Sequence, residues 1–395
     1  MSHSRRAFLA FLAFAGLVTS VSAEPAEPPK SGRYWVYIGT YTSKDGSQGI
    51  YRSEFDLNSG ELGKPKLAAE VVNPTFLTIS PDHKYLYAIG ETGDQGPKKN
   101  EGSIHAYKID SATGELTKLN SLTTGGGGPC HVSVNSTGKF AIVANYGGGS
   151  SAGYSLKDDG SLDKQIFFSQ HADKGANGHC AMFNIVGGEE YAYIVDLGLD
   201  RVFSYKLDAE GSKLVPTEPA FVKLPEKCGP RHIAFNAKSG KAYVCGERDS
   251  TIITLKRGPH GTLQAMSPNS NEHAVLSTLP KDVSKEIRGK NSTAQILVHP
   301  DGGHVLVSNR GHNSLAVFEV NADKTSAGPH IMGTGAQAIQ TPRNFNIDPT
   351  GRWILIGNQD GGSIFVAEWS NGNAKIGPQV VKVQNPVCIE FLAKP

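Results

Sequence analysis

The sequence predicts an all-β protein, a seven-bladed β-propeller that occupies residues 33–395 as one domain. Three observations support this prediction. One phrase recurs at a spacing of roughly 50 residues, which is typical of propeller blades. The two ends of the chain carry complementary halves of a further copy, and 46 glycines suit the tight turns that many short strands require.

Each full copy of the phrase reads as a strand, a turn and a second strand, because apolar residues alternate with small or polar ones on both sides of a turn. The six copies are NPTFLTISPDHKYLYAIGE (73–91), GPCHVSVNSTGKFAIVANY (128–146), GHCAMFNIVGGEEYAYIVDLG (178–198), GPRHIAFNAKSGKAYVCGE (229–247), TAQILVHPDGGHVLVSNRG (293–311) and TPRNFNIDPTGRWILIGNQ (341–359). A third strand follows several of them, for example GSIHAYKID (102–110).

The seventh copy is divided between the chain ends. The segment NPVCIEFL (385–392) is a first strand without its second, and RYWVYIGTYT (33–42) is a second strand without its first. Joined, the two complete one blade and remove the free sheet edges that an open array would expose. A non-closing solenoid is the alternative, but it would not need complementary half-repeats. We therefore expect closure by pairing of the N- and C-terminal strands.

The first residues have the features of an export signal. Arg5 and Arg6 precede an apolar stretch, and small residues up to Ala23 supply a cleavage site. The stretch SRRAFLA is similar to a bacterial twin-arginine signal, and the apolar segment is short for a membrane span. We predict a cleaved signal at residues 1–23, a linker at 24–32 and a periplasmic or extracellular protein with no stable span. A retained membrane anchor is the alternative.

The charge and the cysteines argue against two classes of function. Cleavage after residue 23 removes two of the 39 basic residues and none of the 37 acidic ones, so the mature chain is formally neutral. A neutral chain is not expected to bind nucleic acid. The five cysteines are odd in number and contain no CxxC pair, so neither a disulfide framework nor a zinc site is expected.

In a propeller the first strand of each blade lines the central channel, so first-strand starts and second-strand ends gather around one mouth. The first-strand starts are Thr75, Cys130, His179, Arg231, Ala294 and Arg343, and the second-strand ends are Glu91, Asn145, Asp196, Glu247, Asn309 with Arg310, and Asn358. Blade packing alone does not require this collection of cations, carboxylates, amides and a histidine. Asn and Asp at strand ends can, however, also serve the backbone of turns, which is the alternative role for the amides and for Asp196.

Several stretches together resemble one family. They are YIGTYT, GGGPCHVSVNSTGKFAIVANYGGGS, DLGLDRV, GPRHIAF, VSNRGHNSLAVF and TPRNFNIDPTGRWILIGNQ. They are similar to the β-propeller lactonases of the bacterial 6-phosphogluconolactonase type, whose relatives include the fungal carboxymuconate-lactonizing enzymes. The resemblance implies that His179, Arg231, Glu247 and Arg310 are the catalytic residues. Asn177 stands where the family often has a second histidine, which speaks against a two-histidine mechanism.

The resemblance implies hydrolysis of 6-phosphogluconolactone or a related sugar lactone, with no cofactor and no metal. Glu247 or His179 would activate water, while Arg231 and Arg310 would bind the oxyanion and any anionic group on the substrate. The candidate substrate contacts are His131, Asn145, Asp196, Arg343 and Asn358.

Three alternatives remain open on the sequence. The protein could be a cycloisomerase of the carboxymuconate type, or a non-catalytic exported propeller that binds carbohydrate or protein. It could also be a calcium-dependent lactonase with oxygen ligands. Those ligands would come from Glu91, Asn145, Asp196, Glu247 and Asn358. The oligomeric state is not predicted.

Overall fold

The computed structural model describes residues 32–93, 101–171, 174–208, 213–265, 275–321 and 325–395. The predicted signal (1–23) and all but the last residue of the predicted linker lie outside these residues. Within them the strands form seven antiparallel sheets, which we call blades 1–7.

Blade 1 contains β1 (Arg33–Thr40), β2 (Gly49–Asp56), β3 (Glu61–Leu62) and β4 (Lys66–Glu70), together with the last strand of the chain. Blade 2 contains β5 (Leu77–Ile79), β6 (Tyr85–Gly90), β7 (Ser103–Ile109) and β8 (Leu116–Thr123). Blade 3 contains β9 (Pro129–Val134), β10 (Phe140–Asn145), β11 (Ser150–Leu156) and β12 (Leu162–Gln170). Blade 4 contains β13 (Gly178–Val186), β14 (Glu189–Asp196), β15 (Arg201–Leu207) and β16 (Leu214–Lys223).

Blade 5 contains β17 (Pro230–Asn236), β18 (Lys241–Gly246), β19 (Thr251–Arg257), β20 (Leu263–Ala265) and β21 (Val275–Ser277). Blade 6 contains β22 (Ser292–Val298), β23 (His304–Arg310), β24 (Ser314–Val320) and β25 (Thr325–Ile331). Blade 7 contains β26 (Pro342–Ile347), β27 (Trp353–Asn358), β28 (Ser363–Ser370) and β29 (Asn373–Lys382), and β30 (Pro386–Ala393) then returns to blade 1. The helix α1 (Lys285–Lys290) and the 3-10 turns Pro259–Gly261 and Gly335–Gln337 lie between strands.

The innermost strands of the blades form a closed ring. Each of β30, β5, β9, β13, β17, β22 and β26 contacts the next, and β26 contacts β30 again. Blade 1 is the predicted joint of the two chain ends, since β30 pairs with β1 from Tyr34↔Ala393 to Thr40↔Pro386. The prediction of a seven-bladed propeller closed by the terminal strands is confirmed.

The apolar core is divided among the interfaces between blades. One buried cluster lies between each pair of neighbouring blades, so both faces of every sheet are covered. This is why second strands such as FAIVAN (140–145) are buried along their whole length instead of alternating. The clusters on the two faces of blade 1 contain Ile389 and Cys388 respectively, so the last strand seals blade 1 against both neighbours.

Three of the blades are each connected to the following blade by a tyrosine of the second strand. The hydroxyls of Tyr37, Tyr87 and Tyr193 donate to glycine carbonyls in the outer turn of the following blade, at 2.9, 2.8 and 2.8 Å. Gly160, which accepts from Tyr87, has a φ of +80°, and a Cβ there would lie 2.2 Å from the ring of Tyr85. Glycine is therefore required at this turn both by the backbone conformation and by the close approach of the ring.

The five cysteines are buried and unpaired, in agreement with the absence of a predicted disulfide framework. Within the described residues, no helix has the length and apolar character needed to cross a membrane.

Candidate active site

Two rings of residues surround the end of the channel where first strands begin. Residues at the beginning of the inner strands pair with residues at the end of the second strands, and we call these second-strand partners the buried ring. Its members are Thr40, Asn145, Asp196, Gly246, Asn309 and Asn358. Each of them is buried. The residues one position further along the chain, together with Glu91 directly after β6, form the second ring, which we call the mouth ring.

The mouth ring consists of Tyr41, Glu91, Tyr146, Leu197, Glu247, Arg310 and Gln359. A shared hydrogen bond fixes most of its members, because the backbone N–H donates to a carbonyl in the segment that leads into the inner strand. This bond measures 2.7 Å from Glu247 to Gly229, 2.9 Å from Glu91 to Asn73 and 3.1 Å from Gln359 to Thr341. Gly229 itself has a φ of +59°, so it turns the chain into Pro230 and Arg231 and brings Arg231 beside Glu247.

The buried ring contains three of the predicted substrate contacts, and the structure does not bring them to the mouth. The Asn145 side chain donates to the Thr124 carbonyl at 3.1 Å, and Asn358 Oδ1 accepts from the backbone of Gln340 at 3.2 Å. Asp196 Oδ1 accepts 2.9 Å bonds from the backbone N–H groups of Asn177, Gly198 and Leu199. In the structure these side chains hold the loops between blades, which was the alternative role, and substrate contact by them stays a prediction.

Asp196 also belongs to a serine–histidine–aspartate chain. Its Oδ2 bonds His171 Nδ1, and His171 Nε2 lies 3.3 Å from Ser151 Oγ. All three residues are less than 5% exposed. A nucleophilic serine must reach its substrate, so this chain is a structural connection within blades 3 and 4.

The four residues predicted to be catalytic come together in one hydrogen-bonded cluster at the mouth. Arg231 Nη1 lies 2.7 Å from His179 Nε2 and 2.6 Å from Glu247 Oε2. Arg310 Nη2 lies 3.1 Å from Glu247 Oε1 and donates to the Thr293 carbonyl at 2.8 Å. We call this group the arginine cluster. Arg231 is 4% exposed, so the cluster is largely withdrawn from water.

The charges within the arginine cluster follow from burial and from its arginines. Burial alone would raise the pKa of Glu247, but the charges and hydrogen bonds of Arg231 and Arg310 lower it to about 2. Burial, reinforced by Arg231 and Arg343, holds the pKa of His179 well below its usual range. Burial and repulsion from Arg231 lower the pKa of Arg310 to about 10. At neutral pH the cluster therefore contains two arginine cations, one carboxylate and one neutral imidazole.

A narrow cavity lies below the mouth. It is lined by Thr75, Phe76, Glu91, Cys130, Arg231, His232, Arg343, Asn344 and Val387. Its space for water-sized molecules is about 10 Å³, which is roughly one water. A lactone ring does not fit into this space, so a substrate would bind above it, against the mouth ring and the first-strand starts.

Aromatic rings close the channel below the cavity. Phe76 stacks on His131 with ring centroids 3.9 Å apart, and His232 meets His131 edge to face at 5.2 Å. His131 is 2% exposed, and burial lowers its pKa to about 3. The structure thus places His131 against two residues that line the cavity, Phe76 and His232, and its contact with a substrate stays a prediction.

Arg343 lines the cavity from blade 7, which is next to the blade that carries Arg310. Its guanidinium lies over the ring of Tyr41, 5.2 Å from the centroid. The Tyr41 hydroxyl in turn donates to Glu91 Oε1 at 2.8 Å, and the Thr75 hydroxyl bonds Glu91 Oε2. Of the predicted substrate contacts, Arg343 is the one that lines the cavity.

The sequence analysis missed part of the mouth ring. Tyr41, Tyr146 and Gln359 were not singled out, although Tyr146 packs against the His179 ring at 5.3 Å. Their signal in the sequence is their position, since each follows directly after the last residue of its second strand. Among the described residues, no group of three or more His, Cys, Asp or Glu is arranged to hold a metal ion.

Comparisons with known proteins agree with this architecture. The family model described as a lactonase with a seven-bladed β-propeller matches residues 35–391. A 6-phosphogluconolactonase of Bacillus subtilis is 35% identical over 367 residues, which cover 91% of this chain and 99% of that protein. A 6-phosphogluconolactonase of Formosa agariphila is 28% identical over 344 residues, covering 84% and 91% of the two chains.

A solved structure, the periplasmic gluconolactonase of Pseudomonas aeruginosa, superposes with a TM-score of 0.81 at 27% identity. The superposition covers 92% of this chain and 100% of that one. The match to the family model extends over nearly all of the propeller, and the Bacillus relative covers almost the whole of both chains. This protein therefore belongs to the seven-bladed β-propeller lactonase family.

Proposed function

We propose that this lactonase hydrolyses an anionic sugar lactone at the channel mouth, with 6-phosphoglucono-1,5-lactone as the first candidate. The observation that carries the proposal is the arginine cluster, where a buried and a partly buried guanidinium group share one carboxylate beside the cavity. The names of the Bacillus and Formosa relatives support the choice of substrate.

The arginine cluster suits the charge that develops when a lactone opens. Attack of water on the carbonyl carbon moves negative charge onto the carbonyl oxygen, and fixed donors in a water-poor site stabilise that charge strongly. The Nε–H groups of Arg231 and Arg310 are buried and have no hydrogen-bond partner among the described residues. His179, in its neutral form, accepts from Arg231 and so orients the guanidinium.

The position of Arg343 supports the proposal that the substrate carries a negative charge. It lines the cavity, and its guanidinium forms no ion pair with a described carboxylate. A planar guanidinium without a carboxylate partner is well suited to a phosphate or carboxylate group.

Replacing Arg343 with Gln should therefore discriminate between substrates. We expect the KM for 6-phosphogluconolactone to rise about 10- to 100-fold, because a hydrogen bond to a charged group contributes about 1.5–3 kcal/mol. The KM for neutral gluconolactone should change much less. Steady-state kinetics on both lactones measure the difference, and Arg352→Gln, which removes an exposed ion pair with Glu368, is the matched control.

Equal effects of the Arg343 change on the two lactones would remove the argument for an anionic substrate. The same preparations should be assayed on carboxymuconate and its lactone. If the protein converts these compounds and shows no activity on sugar lactones, the cycloisomerase alternative is correct and hydrolysis is not the reaction.

We also propose that the protein is exported. The twin-arginine pattern at Arg5 and Arg6 and the likeness to a periplasmic gluconolactonase support this. Changing both arginines to lysine in the full chain should retain the protein in the cytoplasm of a bacterial host with twin-arginine transport. Cell fractionation measures the distribution, and unchanged export would exclude this route.

A further inference from the structure

Glu91 and Glu247 occupy equivalent positions in two blades on opposite sides of the mouth. Both are mouth-ring residues, and each donates its backbone N–H to a carbonyl in the segment that leads into the inner strand of its own blade. Blades 2 and 5 are three places apart in the closed ring of seven, so the two carboxylates face the mouth from opposite sides.

The surroundings of the two carboxylates differ in charge. Beside Glu247, the first-strand start is Arg231, and both carboxylate oxygens are bonded to arginines. Beside Glu91 the corresponding position holds Thr75, whose hydroxyl bonds Oε2, while the Tyr41 hydroxyl donates to Oε1 at 2.8 Å. Among the described residues, Glu91 forms no ion pair with Lys, Arg or His.

The donors around Glu91 leave its carboxyl group with free acceptor capacity. Burial raises the pKa of the Tyr41 hydroxyl well above its usual range, so Tyr41 keeps its proton and donates it. A carboxylate has about four acceptor positions, and two hydroxyl donors leave about two of them for water or substrate. Glu91 also lines the cavity, alongside Arg231 and Arg343.

We infer that Glu91 is the general base of lactone hydrolysis, a role that rests on the proposed function. Glu247 is poorly placed for this role because two arginines stabilise its ionised form. His179 is poorly placed because its Nε2 already accepts from Arg231. Glu91 is a mouth-ring carboxylate that forms no bond to an arginine among the described residues.

The reaction balances with these groups alone. Glu91 takes one proton from a water molecule as the water oxygen forms a bond to the lactone carbonyl carbon. The carbonyl electrons move to the oxygen, which the guanidinium groups of Arg231 and Arg310 face from across the mouth. Collapse of this intermediate breaks the bond from carbon to the ring oxygen, and Glu91 returns its proton to that oxygen. The product carboxylic acid then releases a proton to solvent.

The test is Glu91→Gln in the full chain, measured on the lactone that the wild type hydrolyses fastest. We expect kcat to fall about 10²- to 10⁴-fold, the range that general-base catalysis supplies, with KM within a few-fold of the wild type. The part of the pH–rate profile that rises with pH should disappear. In Glu91→Ala, added formate should restore part of the lost rate, since it supplies a carboxylate at the vacated position.

Glu247→Gln is the matched control, because it changes the equivalent residue across the mouth. It should lower thermal stability and leave the rising part of the pH–rate profile in place. A Glu91→Gln variant that retains wild-type kcat, or raises KM alone, overturns the role of Glu91 while lactone hydrolysis stands. A wild type that hydrolyses no lactone overturns the function on which the role depends.

Discussion

Replacement of Arg231 by Gln should lower kcat/KM for a lactone about 10²- to 10³-fold, because the variant loses a donor to the developing oxyanion. It should also destabilise the fold by about 3 kcal/mol or more, the usual cost of removing one partner of a buried ion pair. Arg231 contacts both His179 and Glu247, so its replacement disturbs two other members of the arginine cluster. Lactone kinetics and denaturant unfolding measure the two effects.

The double variant Arg231→Gln with Glu247→Gln measures the coupling between the two residues. Glu247 keeps Arg310 as a partner when Arg231 is lost, so the second substitution leaves the Arg310 cation without a carboxylate, and we expect stability to fall further while activity stays low. Arg352→Gln, at an ion pair about half exposed, should change stability by less than about 1 kcal/mol and leave activity unchanged. Wild-type activity in the Arg231 variant would contradict a role in stabilising the oxyanion.

Ending the chain at Asn385 should abolish cooperative folding. The truncation removes β30, whose buried side chains include Val387, which lines the cavity, and Ile389 and Leu392, which pack between blade 1 and its neighbours. At about 1.5–3 kcal/mol for each buried aliphatic side chain, the loss is on the order of 5 kcal/mol or more. This is comparable with the total stability of an ordinary domain, and the inner edge of β1 is also left unpaired.

A milder change keeps this test informative if the truncated chain does not accumulate. Ile389→Ala should cost about 2–5 kcal/mol, whereas Val215→Ala, at a 53% exposed position of an outer strand, should cost within about 0.5 kcal/mol. Tryptophan fluorescence is a local probe of blade 1, since Trp35 lies in β1 and the ring of Trp353 lies 6.2 Å from that of Phe55. Wild-type unfolding of the truncated chain would show that terminal pairing does not hold the propeller together.

The fold could be predicted from the sequence because its repeats are recognisable as units. The half-repeats at 33–42 and 385–392 indicated closure directly, and the structure pairs them along their length. The four residues of the arginine cluster could also be placed at one mouth, because strand ends of a propeller converge whatever the details of each blade.

The alignment of strand ends in the sequence differs from that in the structure by one residue at two blades. Asn145 and Asp196 were aligned with Glu247, but the structure aligns them with Gly246, and a shift of one residue moves a side chain to a different environment. The irregular pairing at each strand end, where the register shifts by a residue, is set by the turns and is not visible in the hydrophobic pattern. The bond from Tyr41 to Glu91 joins blade 1 to blade 2, so no local pattern could predict it.

The most direct test of lactone hydrolysis at this mouth is the fate of solvent oxygen. The purified wild-type protein should be given 6-phosphogluconolactone or gluconolactone in ¹⁸O-labelled water, and the product followed by mass spectrometry against the spontaneous reaction. The structure predicts formation of the open-chain acid well above the spontaneous rate, with one solvent oxygen in its carboxylate, and loss of the acceleration in Arg231→Gln. A rate equal to the spontaneous one, or a rearranged product without solvent oxygen, would contradict it.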